Sequence, residues 1–374
     1  MASDPFVLIA AGGTGGHLFP AEALAVALAR RGIRVSLATD GRAAKYAGAF
    51  PADAIFEIPS ATPSGRSLPA AVQAALTLAR GVWTARGLMR ARRPAVVVGF
   101  GGYPTVPPVL AAALLRVPAI IHEQNAVLGR ANRFLAARAS AIATGFPGVG
   151  KVAEGLRGRL THTGNPVRPA VLEAAEVPFQ PLGAGDRLRV VVFGGSQGAR
   201  VMSDVVPAAV ERLPVELRAR LSLTQQARPE DLARVRETYA RLGVEAVVEP
   251  FFADLPQRIA RAHLVVGRSG ASTVAELAVI GRPAILVPLP HALDQDQAAN
   301  AAALGSVGAA TVIRQDDFTP ERLAEEIATR LAIPEGLTRA AEAAKSAGVP
   351  DAGERLAALV MRVGRLGPHS ESNS

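Results

Sequence analysis

His17 and the run His122-Glu123-Gln124-Asn125 hold the side chains of this chain best suited to move a proton. An imidazole has an ordinary pKa of about 6.5, so at neutral pH it accepts a proton from a hydroxyl as it stands. A carboxylate needs its pKa raised to do the same. Each group follows a short apolar run, Phe6 to Ala11 for the first and Ala119 to Ile121 for the second, and such runs read as buried strands. The carboxyl ends of strands are where open α/β sheets bind ligands. A plain loop needs polar residues there, but not an imidazole, a carboxylate and two amides together. More than one role stays open for each residue. His17 is a general base or only positions a substrate; Glu123 is the base, orients His17, or binds substrate hydroxyls.

A second set of residues suits anions and hydroxyls. Arg268-Ser269-Gly270-Ala271-Ser272-Thr273 opens a helix, and a helix start can hold a diphosphate through backbone amides. Glu276 lies about one turn inside, on the side of Ser272 or Thr273. There a carboxylate can accept from two ribose hydroxyls. The same residues also describe a serine-threonine cap with a solvated Glu. Asp294-Gln295-Asp296-Gln297 adds carboxylates and amides suited to a hydroxyl-rich ligand. Together these pieces describe a nucleotide-sugar site.

Glycine turns must position both sets. Gly12, Gly13, Gly15 and Gly16 follow the first apolar run, and Leu18 to Arg31 continues at helical spacing to Gly32. Leu188 to Phe193, Gly194-Gly195-Ser196-Gln197-Gly198-Ala199 and Val201 to Leu213 repeat the pattern. Such glycines either let a ligand approach the backbone or only make tight turns. The dinucleotide fingerprint fails, because its third glycine position is Leu18, which disfavours a dehydrogenase. Gly145 to Lys151 has phosphate-loop spacing, but Val152 replaces the magnesium-holding Ser/Thr and Pro147 removes a donor. It reads as a turn.

Stepping along the chain, Ile33 to Thr39, Ala54 to Ile58, Ala95 to Gly99 and Ala139 to Ala143 are further strands of a first half, the last of them closing its sheet. Gly164 to Pro169 reads as a hinge, and strands then alternate with helices through the second half. Two strand–glycine turn–helix openings predict two Rossmann-like doubly wound α/β domains facing across a cleft. The expected division is residues 1–165 and 166–350, with a helix at 351–366 packing back on the first domain and a disordered tail at 367–374. Ala70 to Arg92 reads as a long helix with Val72, Leu76, Val82 or Trp83, and Met89 along one side, edged by Arg80, Arg86, Arg90, Arg92 and Arg93. That stripe either faces the core or rests on an anionic bilayer.

Of 374 residues, 49% are apolar, enough for two cores. Cysteine is absent, which excludes disulfides, thiolate catalysis and cysteine-ligated metals. No apolar run reaches membrane-spanning length, and the start lacks the basic region of a signal peptide. The net charge of +9 fits phosphates, nucleic acid or an acidic membrane, or a generally arginine-rich surface.

The motifs Gly12-Gly-Thr-Gly-Gly-His17, Gly101-Gly-Tyr-Pro104, His122-Glu-Gln-Asn125, Gly164-Asn-Pro-Val-Arg168, Gly194-Gly-Ser-Gln-Gly-Ala199, Arg268-Ser-Gly-Ala271 and Glu276 occur in this order. In this order the chain resembles, from about residue 6 to 362, the MurG family of N-acetylglucosaminyltransferases of peptidoglycan synthesis. The resemblance implies the GT-B fold and an inverting transfer of N-acetylglucosamine from UDP-GlcNAc to the 4-hydroxyl of the muramoyl sugar of lipid I, giving lipid II. No metal and no cofactor are expected, and the four remote glycine or hydroxyl turns argue against a basic nucleic-acid protein. The resemblance also implies work at the cytoplasmic face of the bacterial inner membrane, with the helix Ala70 to Arg92 as the leading contact with its anionic surface. By the same resemblance Thr14, Gly15 and Gly16 border the donor diphosphate and the acceptor. Asn125, Arg168, Ser196, Phe252, Ala271, Ser272, Thr273, Val274, Ala275, Glu276 and Gln297 match donor-binding positions, Phe252 through its backbone against uracil. Two departures touch the last of these: the loop Pro290 to Leu293 is one residue longer than in some relatives, which sets Gln295 against Gln297 as the sugar contact, and Asp296 stands where relatives often carry an amide or histidine.

Overall fold

The computed structural model describes residues 5–12, 15–41, 50–62, 68–195, 198–290 and 296–367. The chain divides into two compact units, Met1–Arg168 with Pro350–Ser374, and Pro169–Val349. In the first unit run β1 (Phe6–Ala10), α1 (Gly15–Ala29), β2 (Arg34–Thr39), β3 (Ala54–Glu57), α2 (Leu68–Ala91), β4 (Val96–Gly99), α3 (Val106–Leu114), β5 (Ala119–Glu123), α4 (Arg130–Ala136), β6 (Ala141–Thr144) and β7 (Leu160–His162). The second holds α5 (Pro169–Ala174), β8 (Leu188–Phe193), α6 (Arg200–Arg212), α7 (Val215–Arg218), β9 (Leu221–Gln226), α8 (Leu232–Arg241), β10 (Glu245–Glu249), α9 (Leu255–Arg261), β11 (Leu264–Gly267), α10 (Ala271–Ile280), β12 (Ala284–Leu286), α11 (Asp296–Gly305), β13 (Ala310–Val312), α12 (Pro320–Ala332) and α13 (Glu335–Ala347). The final helix, α14 (Ala352–Gly364), belongs to the first unit.

Each unit is one parallel sheet, ordered β3-β2-β1-β4-β5-β6-β7 in the first and β10-β9-β8-β11-β12-β13 in the second. Both orders step outward from the first strand, then reverse to its other side, as in doubly wound folds. The reversal falls between β1 and β4, and again between β8 and β11. Parallel strands are covered on both faces and so read as continuous apolar runs. In β1, Val7 and Ile9 pack with Leu24, Leu28, Leu356 and Val360, while Phe6, Leu8 and Ala10 pack with Met89, Val109 and Ala112. α14 therefore completes one face of the first core beside α1, with Arg31 and Glu354 paired at 2.6 Å on its rim.

Two local expectations change. Ala139 to Ala143 does not close the first sheet, because β7 pairs beyond β6. A three-residue edge strand of partly exposed residues carries too little apolar pattern to announce itself. α1 starts at Gly15 rather than Leu18, so His17 lies within its first turn. The segment Gly145 to Lys151 is a bend that bridges Gly150 to Val127, with Gly150 N donating to Ala126 O, and no α-helix opens directly after it.

The stripe of α2 separates into two faces. Ala74, Ala85 and Met89 are buried, with Leu78 and Val82 packed beside them. Val72, Leu76 and Trp83 stay 51%, 58% and 73% exposed. No helix among the described residues is long and apolar enough to cross a membrane.

Candidate active site

The reversal point of the first sheet places the ends of β1 and β4 side by side. After β4 the backbone passes through Gly101 and Gly102 at φ of 80° and 69°, a region that side-chain-bearing residues rarely enter. The His17 ring lies against both. A Cβ on Gly101 would sit 3.4 Å from His17 Cε1, and one on Gly102 would sit 3.4 Å from its Cδ2 and Nε2. The Gly-Gly pair thus forms the floor on which the imidazole rests. Burial pushes the His17 pKa below its ordinary value, while the Glu123 charge, the Gln124 side chain and the Phe100 carbonyl oppose that shift. The ring is therefore neutral and able to accept a proton at neutral pH.

β5 delivers His122, Glu123 and Gln124, all buried. Glu123 is surrounded by donors. Its Oε1 accepts from Asn125 N at 3.0 Å and Asn125 Nδ2 at 3.1 Å; its Oε2 accepts from Gly129 N at 2.9 Å and Asn132 Nδ2 at 2.8 Å. Both oxygens are engaged in tying the loop after β5 to the start of α4, and taking a substrate proton would disrupt one of these bonds. His122 donates from Nε2 to Gly164 O at 3.2 Å, while burial pushes its pKa down to about 4. Asn132 also donates to His122 O at 3.1 Å. Sequence reasoning missed Asn132 as part of this cluster. Its signal was an amide on the same helix face as Ala131, Leu135 and Ala136, all buried, since a polar residue on an apolar face needs a partner.

Asn125 is thus held against Glu123, and Arg168 against α1. The Arg168 guanidinium lies 4.1 Å from the Phe19 ring centroid. Burial raises the Glu22 carboxyl, and the Arg168 charge draws it back down. Gly15 and Gly16 open α1; Thr14 lies outside the described residues.

In the second unit the reversal point brings together Gly194 and the start of α10. Gly194 is required by crowding: a Cβ there would fall 2.2 Å from Ala199 N. Its amide donates to Gln226 Oε1 at 3.1 Å. Ser196 and Gln295 lie outside the described residues. α10 begins at Ala271 after Gly270, with Ala271, Val274 and Glu276 buried and Ser272, Thr273 and Ala275 half-buried. Ser272 Oγ is buried without a hydrogen-bond partner, beside the free amides of the helix start. Around it, Ser269 Oγ donates to Gln297 O at 2.8 Å, Leu289 N donates to Gln297 Oε1 at 3.1 Å, and Asn300 Nδ2 donates to Ser269 O at 3.2 Å. Arg268 is turned inward: it donates to Val287 O, Pro288 O and Gln315 Oε1, bracing the strand ends. Phe252 is buried under the Arg258 guanidinium at 4.5 Å, whereas Phe251 is exposed. Among the described residues, no group of three or more His, Asp or Glu side chains forms a metal site.

The family model for the glycosyltransferase family 28 N-terminal domain matches residues 7–144, and that for its C-terminal domain matches residues 189–356. The chain is 64% identical, over 361 residues, to the UDP-N-acetylglucosamine–N-acetylmuramyl-(pentapeptide) pyrophosphoryl-undecaprenol N-acetylglucosamine transferase of Methylobacterium nodulans, covering 96% of this chain and 97% of that protein. The crystal structure of Acinetobacter baumannii MurG matches with a TM-score of 0.78 at 29% identity, over 96% of this chain and 99% of that one. A glycosyltransferase of kitacinnamycin matches at 20% identity and a TM-score of 0.69, over 96% of this chain and all of that one, a likeness of fold alone. With a relative this similar along nearly its whole length, and both family 28 domains in place, the chain belongs to the MurG family of glycosyltransferase family 28.

Proposed function

We propose that this chain transfers N-acetylglucosamine from UDP-GlcNAc to the 4-hydroxyl of the muramoyl sugar of lipid I, giving lipid II with inversion at the anomeric carbon. Inversion follows from a single displacement. The acceptor oxygen forms its bond to the anomeric carbon as the bond to the diphosphate breaks, and UDP departs with that electron pair. The hydroxyl proton passes to His17 Nε2. The observation that carries this reading is the neutral His17 ring on its two-glycine floor, beside a Glu123 already occupied by four donors.

The second unit supplies the donor groups. The amides at the start of α10 suit the diphosphate charge that grows as UDP leaves. Glu276 takes the ribose hydroxyls, Ser272 a diphosphate oxygen, Gln297 the sugar and the Phe252 backbone the uracil. Asn125, Arg168, Thr14, Gly15, Gly16 and Ser196 complete the set, and no metal, cofactor or nucleic acid takes part. The lipid tail of the acceptor puts the enzyme at the cytoplasmic face of the inner membrane as a peripheral protein. Exposed Val72, Leu76 and Trp83 on α2, with Arg86 stacked 5.3 Å from the Trp83 ring centroid, suit the boundary between headgroups and acyl chains.

The test is product analysis after mixing the pure protein with UDP-GlcNAc and a short-chain lipid I analogue. A disaccharide product and free UDP are expected. Hydrolysis of UDP-GlcNAc without glycosylated acceptor, or transfer only to unrelated acceptors, would remove this reading.

A further inference from the structure

A path of buried polar groups leads from Gly164 to His17. His122 Nε2 lies 3.2 Å from Gly164 O and can only donate there, which leaves Nδ1 of this neutral ring as an acceptor. Gln124 Nε2 lies 3.2 Å from that Nδ1 and 2.9 Å from Phe100 O. Both amide hydrogens are thereby assigned. Exchanging the amide nitrogen and oxygen would set Gln124 Oε1 against the Phe100 carbonyl, two acceptors with no proton between them. Oε1 is therefore the remaining end, and it is buried with no hydrogen-bond partner. So is Nδ1 of His17. Both side chains border the same point above Gly101: a Cβ there would lie 3.4 Å from His17 Cε1, the carbon between the two ring nitrogens, and 3.5 Å from Gln124 Oε1.

We infer that Gln124 is a positioning residue that selects the tautomer of His17, its Oε1 accepting from Nδ1–H so that the lone pair is on Nε2. A neutral imidazole carries one proton, and the hydrogen bond made by one nitrogen decides the state of the other. His122 holds the Gln124 amide in the required orientation, and Gly164 holds the tautomer of His122. Without Gln124 Oε1, which also competes with the Phe100 carbonyl for the ring's proton, the proton of His17 is freer to occupy Nε2, where it meets the substrate hydroxyl as a donor. The catalytic consequence rests on His17 as base; the tautomer does not.

Full-length protein labelled with 15N at its six histidines reports tautomers directly through two-bond 1H–15N correlations, with His17 assigned by its loss in His17→Ala. Wild type is expected to show His17 as Nδ1–H, and Gln124→Met to move it toward Nε2–H. In Gln124→Met kcat should fall roughly ten- to a hundredfold with KM for UDP-GlcNAc within about twofold. Added to His17→Ala, the same change should cost nothing further. Wild-type His17 found as Nε2–H overturns the inference whether or not the variant folds, and so does full kcat in a folded Gln124→Met. An Nδ1–H tautomer with turnover preserved in His17→Ala instead removes the base assignment and leaves the positioning intact.

Discussion

The His17 imidazole has a glycine floor, and burial lowers its pKa against the opposing Glu123 charge, so its substitution should separate chemistry from binding. In His17→Ala, turnover is expected to fall by roughly 10²–10⁴ with UDP-GlcNAc affinity nearly unchanged. The acid limb of the pH–rate profile should vanish with it, because below the histidine pKa the ring is protonated and cannot accept. A fall of less than about tenfold, or an acid limb that survives here and disappears in Glu123→Gln, would pass the role to Glu123. Glu276 belongs to donor binding. Its buried carboxylate in Glu276→Ala should be missed by about 1.5–3 kcal/mol of UDP affinity, the scale of hydrogen bonds to a charged group. Calorimetry that finds unchanged affinity in folded protein would take Glu276 out of the site. Residue types at strand ends were legible because an imidazole or carboxylate in a short loop is conspicuous. Their pairings were not. That Glu123 meets Asn132 and Gly129, or that Arg282 is buried among the carbonyls of Ala260, Ile280, Gly281 and Val177, depends on which loops the sheet brings together.

At the scale of elements, α2 shows what periodicity conveys and what it leaves open. The apolar spacing announces a long helix, but a helix with apolar residues on more than one side does not say which side meets the core. Packing against α3 decides it, turning Ala85 and Met89 inward and leaving Val72, Leu76 and Trp83 to solvent. Arg80 and Arg90 are exposed on the same helix, and Arg86 lies over Trp83. Each basic residue near an anionic leaflet adds about 1 kcal/mol of attraction. The triple variant Arg80→Gln, Arg86→Gln, Arg90→Gln should therefore sediment less with anionic vesicles, and wild type should dissociate as salt is raised. Equal binding of wild type to neutral and anionic vesicles would exclude the arginines as the cause.

At the scale of the whole molecule, the repeated strand–glycine turn–helix opening made the two α/β halves legible, since each sheet restarts with the same local chemistry. The buried histidines were only half legible: His122 was conspicuous in its polar run, but its burial was not, nor was that of His263, which looks like any polar interruption until its neighbours are known. They make stability depend on pH in both units. His122 in the first unit is buried and pushed down to about 4 by desolvation. His263 in the second is buried at the start of β11, where Arg189 N donates to its Nδ1 at 3.1 Å; desolvation first, and the Arg189 charge second, push it down to about 4. Both are neutral in the folded chain and titrate near 6.5 when unfolded. Their contribution is complete above the unfolded pKa and is lost as pH falls from there toward 4, because only the unfolded state then binds the protons. For His122 alone, about 1.4 kcal/mol per pH unit amounts to about 2 kcal/mol lost by about pH 5. Glu22 works in the opposite sense, since its raised carboxyl pKa stabilises the fold as pH falls. Urea unfolding followed at about pH 7.5 and about pH 5, above most carboxylate titrations, should show lower midpoints in acid. His122→Gln should remove part of that difference while lowering stability at neutral pH, where the bonds to Gly164 and Gln124 are disturbed. Midpoints that do not move between the two pH values in wild type would mean that both imidazoles accept protons inside the fold.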